Sequence, residues 1–235
     1  MRRLLIPLVL ITLFLSACDD SNTSSNTNIT PQDDVVYELT FTSNWNSVNF
    51  PTNYPSSAHF SGLIGLTHNN QIDIFKRSEL ATLGIITVAE TGGKSVLIDE
   101  INAHIATADS DKAIDGGGIP AGSSTVSVTF SANTNHPYLS IVSMVAPSPD
   151  WFIGIDSFNL YKNGQWQDNA KFNLNVYDAG SDSADTFTAA DSPQTPKNVI
   201  TLLTTDSADT DFLAGVHRDN GTFIGTITLK IITRN

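Results

Sequence analysis

The chain has 235 residues, with 24 Asp and Glu against 12 Lys and Arg, a formal net charge of −12, and a single cysteine. So acidic a chain is ill suited to nucleic acid, whose binding rests on cationic side chains facing phosphates, and to direct docking on anionic headgroups. It is compatible with cation binding and with solubility, and one cysteine excludes an intrachain disulfide.

The N-terminus reads as an export signal. Arg2 and Arg3 precede an apolar run from Leu4 to Leu15, broken only by Pro7 and Thr12. That run is too short to cross a bilayer as a helix but suits a signal-peptide core. It ends in Leu15-Ser16-Ala17-Cys18, which resembles the lipobox of bacterial lipoproteins. Residues 1–17 are therefore expected to be removed, and Cys18 to be lipidated and become the first residue. Acyl chains at about 0.8 kcal/mol per buried CH₂ make such an anchor stable. The expected location is the cell envelope: an outer membrane or cell surface, or a periplasm-facing membrane, reached through the lipid alone. Residues 18–34 continue as a Ser-, Asn-, Thr- and Asp-rich stretch with almost no apolar residues, the composition of a flexible tether. Without the leader, ten basic residues face 24 acidic ones, a net charge of −14.

Residues 35–235 suffice for one domain with a sizeable core. Tyr37, Leu39 and Phe41 alternate with polar residues and predict a half-buried strand. A short helix is expected near 78–82, and 84–89 reads as strand-like. Val96, Ile98, Ile101 and Ile105 sit near helical spacing. Gly116-Gly117-Gly118 marks a turn. Val126, Val128 and Phe130 alternate again. The run 138–146 is a longer apolar stretch, interrupted only by Ser140 and Ser143, and suits a buried strand. Segments 151–161 and 171–177 are strand-like, separated by the turn pair Asn163-Gly164. Residues 181–211 read mostly as a long surface loop. Past Asp219-Asn220-Gly221, the residues Ile227, Leu229 and Ile231 complete a last strand. No βαβ rhythm appears, so the fold class is mostly β: an antiparallel β-sandwich with small helical insertions.

Strand direction locates the candidate chemistry. If 138–146 runs up, Asp150 lies in the loop at the top. The strand 151–161 runs down, Asn163-Gly164 turns at the bottom, and 171–177 runs up again. Asp178 and Asp182 then emerge beside Asp150. Clustered carboxylates repel, so either their pKa values rise or a cation sits among them. Ca²⁺ takes six to eight oxygens, and Asp150, Asp178 and Asp182 offer three, with Gly180 allowing the tight turn between the last two. The alternative is a solvated acidic turn.

The run Ser143-Met144-Val145-Ala146-Pro147-Ser148-Pro149-Asp150-Trp151-Phe152-Ile153-Gly154-Ile155 resembles the signature of the spondin N-terminal domain family, the F-spondin and mindin type. Upstream the likeness includes Ala58-His59-Phe60-Ser61-Gly62-Leu63-Ile64-Gly65, His68, Ala89-Glu90 and His136-Pro137. Downstream it includes Gly164-Gln165-Trp166 and Tyr177-Asp178-Ala179-Gly180-Ser181-Asp182. It covers about 37–190 well and the C-terminal strands loosely. The resemblance implies an antiparallel sandwich that binds Ca²⁺ through loops carrying Asp150, Asp178 and Asp182, in a protein of extracellular adhesion. Two departures stand out: the cysteines of the animal domain and its neighbouring thrombospondin repeats are missing here.

Other signals are weaker. Gly93-Lys94-Ser95 is half a phosphate-binding loop, but Val88 stands where its first glycine belongs. The five histidines show no metal-ligand spacing, and no Gly-x-Ser-x-Gly elbow occurs. Trp45, Trp151 and Trp166 are candidates for a sugar platform, although such residues more often pack inside. The favoured expectation is a calcium-binding, membrane-anchored adhesion module, not an enzyme, whose partner is a surface protein or polysaccharide. A carbohydrate-binding lipoprotein is the alternative. A carboxylate hydrolase, which needs two carboxyls across a cleft, ranks below both.

Overall fold

A computed structural model describes residues 34–121, 124–203, 211–219 and 221–234. The expected signal peptide, Cys18 and the tether up to residue 33 lie outside the described residues. Chain contacts group Gln32–Asn235 into one unit, and all the buried apolar residues described belong to it.

The chain forms β1 (Val35–Ser43), β2 (His59–Phe60), β3 (Ile64–His68), α1 (Leu83–Thr91), α2 (Ser95–Ala106), β4 (Ser110–Asp115), β5 (Thr125–Ala132), β6 (Tyr138–Ala146) and β7 (Trp151–Asn159). It continues with β8 (Tyr161–Lys162), β9 (Gln165–Trp166), β10 (Ala170–Leu174), β11 (Val176–Asp178), β12 (Thr201–Leu202) and β13 (Gly225–Arg234). One sheet has the order β10-β13-β1-β5. The larger has the order β12-β11-β7-β6-β3-β4, with β2 paired to the end of β6. All these pairings are antiparallel, and the expected sandwich is what forms.

Side-chain pattern explains the layers. In β1, Val35, Tyr37, Leu39 and Phe41 are buried while the residues between them are half-exposed, so its sheet has one wet face. Eight of the nine residues of β6 are buried. Leu139, Ile141 and Val145 face the core between the sheets, and Val142 faces a second core under the helices. That double burial is why its sequence is mostly apolar without alternation, and its two serines are satisfied inside: Ser140 Oγ lies 2.9 Å from His68 Nε2, and the Ser143 hydroxyl donates to the Ser61 carbonyl at 2.8 Å. The second core packs Ile85, Val88, Leu97 and Ile101 of the two helices against Ile64, Leu66 and Phe152 of the larger sheet.

Three local expectations are corrected. The segment 84–89 is helix, not strand. Thr82 Oγ accepts the N–H of Ile85 at 3.2 Å as N-cap, and Gly92 ends the helix with φ 68°. Ile85, Val88 and Ala89 recur at helical spacing on the buried side, which overrides their β-branched composition. No helix forms at 78–82, where Leu80 bridges Val199 instead. The segment 171–177 is broken at Asn175: β10 pairs with β13 in one sheet, and β11 pairs with β7 in the other. The Asn163-Gly164 turn, with φ 55° and 76°, closes the β8–β9 hairpin as its dipeptide predicts. Among the described residues no helix is long and apolar enough to cross a membrane.

Candidate functional site

The direction argument holds. β6 and β7 are antiparallel neighbours, and β11 pairs with β7 so that Asp178 stands opposite Trp151. Asp150, Asp178 and Asp182 therefore meet at one end of the sandwich. The Asn163-Gly164 hairpin lies at the other end, where the Tyr37 hydroxyl donates to the carbonyl of Gln167 at 2.8 Å.

Asp150 is completely buried. Its Oδ2 accepts three hydrogen bonds: from the N–H of Ser181 at 2.7 Å, the N–H of Asp182 at 3.0 Å and the Ser181 hydroxyl at 3.2 Å. Its main-chain carbonyl accepts the N–H of Ala179 at 3.0 Å. Asp150 thus fastens the 179–182 turn to the β6–β7 loop. Its Oδ1 is buried without any hydrogen-bond partner, and an orphaned buried carboxylate oxygen is costly. Burial raises the pKa of Asp150 despite these hydrogen bonds.

Asp178 uses Oδ1 to accept the N–H of Gly180 at 2.7 Å. Burial, then the nearby charge of Asp150, push its carboxyl up to about 7, against the opposing effect of the Gly180 N–H. Gly180 has φ 74°, and a Cβ there would lie 2.3 Å from the carbonyl oxygen of Asn198, so only glycine fits. Asp182 is turned to other work. Its Oδ1 accepts the N–H of Ala184 at 2.8 Å and its Oδ2 the N–H of Ser192 at 2.6 Å, zipping the acidic turn onto the following loop.

The three sequence-predicted carboxylates are therefore neighbours with different duties. Among the described residues, no group of three His, Cys, Asp or Glu is arranged to hold one metal ion. The donors that fit a hard cation are the orphaned Oδ1 of Asp150 and the carboxylate of Asp178, to which loop carbonyls and water would have to be added. A depression of about 220 Å³ opens over Asp178 and Asp182, bordered by Asp185, Asn198 and Thr201.

Two residues of this end escaped the sequence reading. Ser181 is fully buried and doubly bonded to Asp150; its adjacency to Asp182 in the motif was the available signal. Asp211 is buried and accepts the N–H of Phe187 at 2.9 Å and the Asn53 amide at 2.6 Å. Phe187 itself packs 5.2 Å from both Trp45 and Trp151, centroid to centroid, so the stretch read as a surface loop has its own core anchors. Nothing in the pattern around Asp211 announced this.

The other candidates take structural places. Trp45, Trp151 and Trp166 are 5%, 0% and 7% exposed and offer no platform to a sugar. Lys94 of the half phosphate loop is paired with Asp115 and donates to the Gly116 carbonyl at 3.0 Å.

Fold and site together define an antiparallel sandwich whose acidic loops are gathered and cross-tied at one end. The family model Spondin_N matches residues 35–217, and the chain belongs to that spondin N-terminal domain family. It is 32% identical to Spondin-2 of Rattus norvegicus over 175 residues, covering 73% of this chain and 53% of the relative. Spondin-2 of Homo sapiens is 31% identical over the same length. Spondin-1 of Rattus norvegicus is 30% identical over 174 residues, covering 72% of this chain but 22% of the relative. The chain thus spans about half the length of the Spondin-2 proteins it matches.

Proposed function

We propose that this chain is an extracytoplasmic binding and adhesion module, held to a membrane by lipid on Cys18, whose acidic loop end is ordered by Ca²⁺. The observation that carries the cation reading is the unpartnered, fully buried Oδ1 of Asp150 beside Asp178. A divalent cation would satisfy that oxygen and neutralise the repulsion between the two carboxylates. Asp150 and Asp178 would hold it; Asp182 would keep the loop closed around it. No chemistry is required of the ion beyond fixing the loops that a surface protein or polysaccharide would meet. Family membership favours binding over catalysis, and Asp150 lies behind its loop rather than across a cleft from a second carboxyl, which disfavours a hydrolase.

Thermal melting of the Gln32–Asn235 unit with Ca²⁺ and with chelator tests the reading. At Ca²⁺ about 100-fold above Kd the native state gains about 2.7 kcal/mol, equivalent to a Tm rise of roughly 5–10 °C for a domain of this size. The gain should vanish in Asp178→Asn. Superimposable melts with and without Ca²⁺ would rule the site out. The anchor is tested separately: in a lipoprotein-processing bacterial host, the wild-type chain should sediment with membranes and Cys18→Ser should appear in the soluble fraction. Equal partitioning of the two would remove Cys18 from the account.

A further inference from the structure

We propose that the cleft between β7 and β10, distinct from the depression over Asp178 and Asp182, is a binding site for a small organic cation of the alkylammonium class. The break at Asn175 creates it. β11 pairs with β7 only along residues 151–153, and β10 pairs with β13 instead. Residues 154–159 of β7 therefore face β10 without a ladder between them, across a cleft of about 600 Å³, a size typical of small-molecule pockets.

The cleft combines aromatic walls with one carboxylate, Asp156, that forms no salt bridge among the described residues. Phe158 and Phe172 meet edge to face with centroids 4.6 Å apart, and Leu174 and Tyr177 extend the apolar lining. Asp156 opens at the mouth. The Ser157 hydroxyl lies 2.8 Å from Asp156 Oδ1 and 2.6 Å from Asp73 Oδ1. One hydroxyl has one proton, so it donates to only one of the two carboxylates at a time and neutralises neither. The nearby cation Lys76 is shared between Asp73 at 3.7 Å and Glu79 at 3.4 Å. Lys162 also borders the cleft, but among the described residues no ion pair joins it to Asp156. The walls desolvate Asp156 in part, and this burial, more than the charge of Asp73, holds its pKa above the ordinary carboxylate value.

These features select the ligand. Aromatic faces attract organic cations, the carboxylate supplies the counter-charge, and the same negative charges disfavour an anion. An added peptide strand is disfavoured too. The β6–β7 pairing is irregular between Leu139 and Ile141, Ser157 has φ 48°, and its N–H is turned to Ser140 Oγ at 2.9 Å. A bulge with a charge beside it is how sheet edges refuse another strand.

The test uses choline and its uncharged carbon isostere 3,3-dimethylbutan-1-ol, each titrated into the ¹⁵N-labelled Gln32–Asn235 unit in the presence of chelator. Choline should shift the amides of residues 154–159 and 173–175. The alcohol should bind about tenfold more weakly or worse, the loss expected when a cation–aromatic and carboxylate contact is removed. Asp156→Asn, an isosteric change at an exposed position, should weaken choline by about the same factor while leaving the rest of the spectrum in place. Absence of shifts in the cleft, equal affinity for choline and the alcohol, or undiminished choline binding by Asp156→Asn would each overturn the proposal.

Discussion

Asp178 couples the acidic end to pH. Its carboxyl moves from an ordinary 3.8 to about 7 in the folded protein, through burial first and the Asp150 charge second. The native state then keeps a proton that the unfolded chain has already released. Stability of the cation-free protein should therefore fall as pH rises from about 4 to about 7, and level off above. Asp178→Asn lacks that loss. Its stability relative to wild type, read from urea unfolding in chelator, should grow across the same window by on the order of 1–2 kcal/mol, allowing for the partial exposure of the group. A difference independent of pH would mean that Asp178 titrates normally. The three aspartates were legible in the sequence because strands joined by turns run antiparallel in succession, and that direction decides which turns share an end. Their division of labour was not, because which lone pairs a carboxylate gives to its own loop depends on backbone placement that spacing alone does not encode.

Among the elements, the turn between β11 and the following loop rests on Gly180. Gly180→Ala forces a Cβ against the Asn198 carbonyl and a side chain into left-handed φ. It should cost about 1–3 kcal/mol and, by displacing Ser181 and Asp182 from Asp150, remove any calcium-dependent gain in Tm. Retention of full stability by this variant would show that the 179–198 loops have room to shift. β6 was readable because a strand buried on both faces is mostly apolar without alternation, broken here only by Ser140 and Ser143. α1 was not: Ile85, Ile86 and Val88 have strand-like side chains, and the helix is decided by the Thr82 cap, the Gly92 stop and a sheet face needing cover. The break at Asn175 was equally hidden, since both halves of 171–177 alternate well enough for either sheet.

Over the whole molecule, the second core makes the helices part of the sandwich rather than ornaments on it. Ile101 is fully buried between α2 and the larger sheet. Ile101→Ala should cost about 2–5 kcal/mol and lower the urea midpoint in a single transition with an unchanged m-value. Loss of helix signal in a separate earlier transition would show that the helices unfold on their own. The first strand has a mechanical meaning as well. β1 starts at the end of the sandwich away from the acidic loops and lies between β13 and β5, paired to both along its length. If the chain is held at its N-terminus while the loop end is gripped by a partner, the load runs along β1 itself. Both flanking ladders would then have to slide at once instead of peeling apart one rung at a time. Since survival under load depends on how fast a protein unfolds, this strand order suits a domain that must stay folded while it is pulled.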